Sequence, residues 1–290
     1  MDSRFVDLNG RPFFVRTWGS EDNPPLLMLH GFPEYGGAWS DLAPFLADRF
    51  YCIAPDQRGY GQSWAPDGVE NYTLSHLVAD MAALISTLKS PVNVLGHDWG
   101  ASVAYGLAMF RGQLVDRLIV ANGVHPAPFQ RALAAGKAQT RASQYINRLR
   151  APDAAAALSE DNFSKLEHFF RHGMGLDWLT EDRMVKYRDE WARPGRLDAM
   201  LNWYRASPLV VAKPGKPQTD IPELPINRLQ VPCPHLLLWG DEDIALLPES
   251  TEGLETFAPN LTRVSIPGTD HWLHHEKPDL VANEIFNWLK

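Results

Sequence analysis

Gly96-His97-Asp98-Trp99-Gly100 is the stretch of this chain whose residue types and spacing point most directly to chemistry. It follows an apolar run, Val92-Asn93-Val94-Leu95, and opens a small-residue segment, Ala101-Ser102-Val103-Ala104-Tyr105-Gly106. Glycines two residues either side of a central residue, between a strand and a helix, frame the elbow that lifts a nucleophile clear of a sheet, written Gly-x-Ser-x-Gly. Without Cβ atoms the backbone can turn that tightly. Here the serine position holds Asp98. A serine needs a base to take its proton, and it attacks acyl carbons. A carboxylate with a reference pKa of about 3.9 is already an anion at neutral pH. It can displace a leaving group from a saturated carbon unaided, becoming an ester of its own side chain. Water must then break that ester, and this step needs a general base. The chain should therefore supply a histidine, an acid to orient it, an oxyanion hole, and a group to receive charge on the leaving atom. Asp98 as a plain helix N-cap is the bland alternative; the paired glycines favour the elbow.

The elements that must position these groups follow from hydrophobic patterning. Arg4 to Trp18 reads as two short strands joined at Asn9-Gly10. Strand candidates follow at Leu26–His30, Tyr51–Pro55, Val92–Gly96, Arg117–Asn122, His235–Trp239 and Thr262–Ile266. Helix candidates are Ala38–Arg49, Leu74–Lys89, Ala101–Phe110, Pro248–Phe257 and Pro278–Leu289. This alternation predicts an α/β fold, a mostly parallel sheet with helices on both faces. It breaks once. Between about Pro126 and Arg228 only helical patterns occur, at Gln130–Leu149, Asp153–Leu158, Phe163–His172, Glu181–Trp191 and Leu197–Arg205, followed by a proline-rich return from Pro208 to Pro234. The expected division is a core of residues 1–127 and 229–290 with a helical cap of 128–228 inserted.

Ligands of open parallel sheets bind beyond the carboxyl ends of the strands. His30-Gly31-Phe32-Pro33-Glu34, Asp56-Gln57-Arg58-Gly59-Tyr60-Gly61-Gln62-Ser63, Asp98, Trp239-Gly240-Asp241-Glu242-Asp243 and Asp270-His271-Trp272 all follow strand candidates. With the Gly-His-Asp-Trp-Gly elbow, these pieces span nearly the whole core and resemble the epoxide hydrolases of the α/β-hydrolase fold. The resemblance implies that fold and an order of nucleophile, acid and base along the chain, which Asp98, Asp243 and His271 match. It favours Asp243 over Asp241 and Glu242 as the acid. No acid closely follows the Arg117–Asn122 strand, where Asn122 stands. His271 competes with His274 and His275, which read as surface histidines. The backbone amides of Phe32 and Trp99 are the expected oxyanion hole. The Asp56–Ser63 motif is expected to shape a loop and has no chemical role.

The elbow is common to hydrolases of epoxides and of alkyl halides, and the leaving group separates them. A halide departs as a stable anion and needs only N–H donors, whereas an opening epoxide leaves a basic alkoxide that needs a proton. A phenol, with a pKa of about 10, is protonated at neutral pH and can give one. Tyr204, in Leu201-Asn202-Trp203-Tyr204-Arg205, resembles the cap segment carrying a ring-opening tyrosine. Tyr145, in Ala142-Ser143-Gln144-Tyr145-Ile146, resembles its partner less closely, and Tyr187 reads as packing. The reading is an epoxide hydrolase. Its runner-up is a haloalkane dehalogenase using Trp99 and a cap tryptophan (Trp178, Trp191 or Trp203) as halide donors, and a non-catalytic ligand receptor ranks lower.

At 290 residues with a net charge of −8, the chain can bury a large core and has no basic clusters, so nucleic acid is not an expected partner. Cys52 and Cys233 lie in apolar runs, as buried thiols of a reducing compartment do. No Cys/His cluster has metal-ligand spacing, and neither metal nor cofactor is expected. The charged N-terminus excludes a signal peptide or a membrane span there. A cytoplasmic enzyme whose partners are a small apolar epoxide and water is the expectation; oligomeric state is unreadable.

Overall fold

A computed structural model describes residues 1–171, 174–221 and 225–290. The first two strands, β1 (Asp2–Asp7) and β2 (Pro12–Trp18), form an antiparallel hairpin. Its turn places Asn9 and Gly10 at φ 57° and 77°, in the left-handed region that these two residue types tolerate best. The chain continues through β3 (Pro25–Leu29), α1 (Ala43–Leu46), β4 (Tyr51–Pro55), α2 (Leu74–Ile85), β5 (Val92–His97), α3 (Trp99–Phe110) and β6 (Val115–Ala121). Helices α4 (Pro126–Ala134), α5 (Ala138–Ala142), α6 (Gln144–Leu149), α7 (Ala154–Arg171), α8 (Glu181–Trp191) and α9 (Arg196–Ala206) follow. The chain then returns to the sheet as β7 (His235–Gly240) and β8 (Leu261–Ile266) and ends in α10 (Leu273–Glu276) and α11 (Pro278–Trp288).

The eight strands form one sheet in the order β1-β2-β4-β3-β5-β6-β7-β8, parallel from β4 to β8 and antiparallel at β1 and β2. Strand side chains alternate between faces, and both faces are buried. Leu27, Leu29, Val94, Leu118, Val120 and Leu237 pack toward α2, α3 and the helical segment. Leu26, Met28, Leu95, Ile119, Leu236 and Leu238 pack on the other face with Trp39, Val281 and Ile285. Strands buried on both sides read as continuous apolar runs, which is why they were visible in the sequence.

Several helix candidates are broken where the backbone requires it. Ala38–Arg49 becomes a 3₁₀ turn at Gly36–Ser40 and the separate helix α1, because Pro44 can open a helix but not continue one. Pro248–Phe257 is two 3₁₀ turns either side of Gly253, at φ 74°. Gln130–Leu149 is three helices, interrupted by Gly136 at φ 72°. The candidates Asp153–Leu158 and Phe163–His172 meet in α7 across a kink at Glu160–Phe163, and His172 lies outside the described residues. The proline-rich return holds one 3₁₀ turn, Ile226–Arg228, and an isolated bridge between Lys213 and Lys216 among its described residues; residues 222–224 lie outside them.

The helical segment docks over the strand ends through polar contacts from one face of α8. Arg183 grips Asp41 with two bonds of 2.5 Å. One and two turns further on, the Tyr187 hydroxyl donates to Glu34 (2.8 Å) and the Trp191 indole donates to the Pro33 carbonyl (2.7 Å). No helix among the described residues is long and apolar enough to cross a membrane.

Candidate active site

The elbow between β5 and α3 holds Asp98 at φ 49°, ψ −120°, a conformation a side chain adopts only under constraint from its surroundings. The glycine after it is obligatory, since a Cβ on Gly100 would run into the Leu29 carbonyl. Gly31 is obligatory for a chemical reason, because its missing Cβ is the space the Asp98 carboxylate occupies. With that space open, the Phe32 N–H reaches Asp98 Oδ1 at 2.8 Å. The Trp99 N–H belongs to the first turn of α3, where amides have no partner inside the helix.

Asp98 Oδ2 lies 3.7 Å from His271 Nε2. On the far side of the ring, His271 Nδ1 is 2.8 Å from Asp243 Oδ2. Asp243 is buried, and its other oxygen accepts from the Ala245 and Leu246 amides at 2.7 and 2.9 Å. Asp241, the competing carboxylate, instead accepts from the Gly268 amide. Burial alone would raise the Asp243 carboxyl, but His271, Asn122 and the Leu246 amide outweigh it and hold it below its ordinary value. Burial likewise opposes charge on His271, yet Asp243 and then Asp98 prevail and raise it to about 9. Its position between Asp243 and Asp98 thus favours the protonated form of His271.

A cavity of about 770 Å³ opens above Asp98 and His271. Phe32, Leu149, Phe169, Phe170 and Trp272 give it apolar walls, and Tyr145 from α6 and Tyr204 from α9 also line it. The two tyrosine rings are 6.4 Å apart, and Tyr204 stands edge-on to both Phe32 and Trp99. Burial, with the Asp98 charge adding to it, pushes both phenols above their ordinary value, so both remain protonated. Two of the three further tryptophans of the halide alternative donate elsewhere, whereas the Trp178 indole N–H has no hydrogen-bond partner among the described residues. The indoles of Trp191 and Trp203 donate to the carbonyls of Pro33 and Arg58, and Trp178 stacks on His275 at 3.8 Å. Of the candidate indoles, Trp99 alone adjoins Asp98 in the elbow.

Two features were not legible in the sequence. Asn122, read as a vacancy, sits at φ 36° and ties β6 to β7. Its amide donates to Asp243 Oδ2 at 2.7 Å while its oxygen accepts from the Gly240 amide at 2.7 Å. An asparagine at a strand end is the available hint, since it tolerates φ > 0. Asn122→Ala should therefore cost about 1–3 kcal/mol of stability by leaving buried groups unpaired; urea unfolding measures it. The second feature corrects the reading of His274 and His275, which are buried rather than on the surface. Glu34, also buried, lies 3.5 Å from His274, 2.9 Å from His275 and 3.6 Å from His97. His275 continues to Asp41 at 2.6 Å, and His97 donates to the His271 carbonyl at 2.8 Å. The carboxylate and ring nitrogens of Glu34, His274 and His275 all fall within 4.8 Å of one another. Glu34 Oε1 is taken by Tyr187 and His275, while Glu34 Oε2 and both ring nitrogens of His274 are buried without a hydrogen-bond partner among the described residues.

A family model described as the alpha/beta hydrolase fold matches residues 24–278. The AB hydrolase superfamily protein YfhM of Bacillus subtilis (strain 168) is 33% identical over 290 residues, covering 99% of this chain and 97% of that protein. Epoxide hydrolase 2 of Caenorhabditis elegans is 32% identical over 288 residues, covering 96% of this chain and 77% of its own. A solved structure described among novel epoxide hydrolases from metagenomes of hot environments superposes with a TM-score of 0.89 at 35% identity, covering 100% of this chain and 98% of that one. The chain belongs to the α/β-hydrolase fold family, as an epoxide-hydrolase-like member of it.

Proposed function

We propose that the chain hydrolyses epoxides to vicinal diols through a covalent ester on Asp98, which makes it a hydrolase of ether bonds. The observation that carries this reading is one cavity holding a carboxylate nucleophile, a carboxylate-backed histidine 3.7 Å from it, and two protonated phenols. Asp98 Oδ2 attacks a ring carbon, the carbon–oxygen bond breaks, and Tyr145 or Tyr204 protonates the departing oxygen. Asp98 is then a neutral ester. One of the two anions that held the proton on His271 has gone, so the imidazolium gives that proton up to solvent and becomes a base; it takes one back from solvent once the Asp98 carboxylate is restored. His271, oriented by Asp243, takes a proton from water, and the hydroxide adds to the ester carbonyl. The amides of Phe32 and Trp99 hold the oxyanion. Collapse frees the diol and restores the carboxylate. Of the water's two protons, one ends on the second hydroxyl and the other returns to the phenolate.

The test is turnover of a panel of epoxides and alkyl halides in oxygen-18 water. Diol from styrene oxide, with single-turnover label in Asp98 rather than in the diol, is expected. Chloride release from 1-chlorobutane without diol formation would instead identify a dehalogenase. Replacing one tyrosine by phenylalanine should slow ring opening by about 10²–10⁴-fold, the usual worth of a positioned acid. Stopped-flow fluorescence of the cap tryptophans resolves that step. Full activity in the double variant Tyr145→Phe/Tyr204→Phe would refute the proton-donor role.

A further inference from the structure

Arg141 lies on α5, and Tyr145 and Arg148 lie at i and i+3 on α6, the spacing that puts two side chains on one helix face. All three line the cavity that contains Asp98. The two arginines are exposed, and neither guanidinium has a hydrogen bond, ion pair or ring partner among the described residues. That sets them apart from their neighbours in the helical segment. Arg150 donates to two carbonyls, while Arg171, Arg183, Arg188 and Arg205 are each held by a carboxylate. Across the cavity, α7 adds Lys165, paired with Glu160, and His168. Besides Asp98 the described lining contains one carboxylate, Asp153. A chain of net charge −8 thus presents a locally cationic rim at the mouth of its cavity. Such a rim draws anions toward a protein whose overall charge repels them.

On the epoxide reading above, we infer that Arg141 and Arg148 form a carboxylate-recognition site at the outer end of the cavity, and that the preferred substrate is an epoxide on an apolar tail ending in a carboxylate. The helical rise sets Arg148 about 4.5 Å along the α6 axis from Tyr145, and Arg141 comes from the preceding helix, α5. Their long side chains add further reach, so the carboxylate lies several bonds from the ring. Apolar walls at Leu149, Phe169 and Phe170 suit the intervening chain. A carboxylate directly on the ring would instead face Asp98 and be repelled. Glycidic acids should therefore be poor substrates, while ω-epoxy acids with an alkyl spacer should be good ones. Guanidinium donors match a carboxylate through two parallel bonds, a geometry an amide cannot reproduce.

The experiment compares matched ω-epoxy acids and their primary amides, short- and long-chained, with the full-length protein. The wild type should favour the long acid over its amide by on the order of tenfold in kcat/KM at low ionic strength, the worth of two partly exposed ion pairs. Added salt should shrink that ratio. In Arg141→Gln/Arg148→Gln the ratio should fall to near one, and in Arg141→Glu/Arg148→Glu it should invert. The amide reports on the folded site within each variant. A wild-type ratio near one, or a ratio unmoved by either pair of substitutions, would overturn the arginine assignment while leaving epoxide hydrolysis in place. Failure to turn over either acid or amide, along with styrene oxide, would overturn both readings.

Discussion

Asp98→Ala should lose turnover of styrene oxide by about 10⁴-fold or more, as expected when the group that forms the covalent intermediate is removed. The effect should be chemical rather than structural. The carboxylate accepts one backbone hydrogen bond, from Phe32, and otherwise faces His271 and the cavity. Far-UV circular dichroism and the melting temperature should accordingly change little. An independent readout comes from His271. Its imidazolium is held at about 9 by Asp243 first and Asp98 second. Removing Asp98 should lower that value, and proton NMR of the ring in the variant measures it. Diol formation within tenfold of wild type would mean that another group opens the ring.

His271→Gln should stop the cycle halfway. Ring opening uses Asp98 and the phenols, which the substitution leaves in place, so the enzyme should still alkylate itself. Hydrolysis of the ester then lacks its base and should slow by at least about 10²-fold. A single equivalent of epoxide should raise the intact mass by the whole mass of the epoxide, because ring opening expels nothing. Peptide mapping should place the addition on Asp98. An alkyl halide would add only its alkyl group, so the same spectrum separates the two substrate classes. A variant that turns over normally, or an adduct on another residue, would remove His271 from the second step.

What could be read in the sequence follows from how local each constraint is. The strand-turn-helix elbow at Asp98 was legible because its glycines meet their obstacles within a few residues, or across one neighbouring strand, as Gly100 meets Leu29. Doubly buried strands such as Tyr51–Pro55 announce themselves by apolar content alone. Helices were misjudged where one backbone-special residue overrides a good pattern, as Pro44 and Gly253 do. Asn122 was missed because its importance lies in bonds to Asp243 and Gly240, more than a hundred residues away in the chain. His274 and His275 are polar residues whose burial depends on Glu34, Asp41 and Trp178 arriving from distant segments. Tyr145 and Tyr204 were named by resemblance, since no spacing within α6 or α9 foretells that both line the cavity containing Asp98.

The amide of Phe32 bonds to only one of the two oxygens of Asp98, and this makes them unequal partners in the proposed cycle. Oδ2, the oxygen on the His271 side, leaves with each diol and is replaced from solvent. Oδ1 becomes the ester carbonyl, carries the transient negative charge, and returns to the same tether. The proposed cycle thus renews one oxygen of Asp98 at each turnover and spares the other for as long as that tether holds.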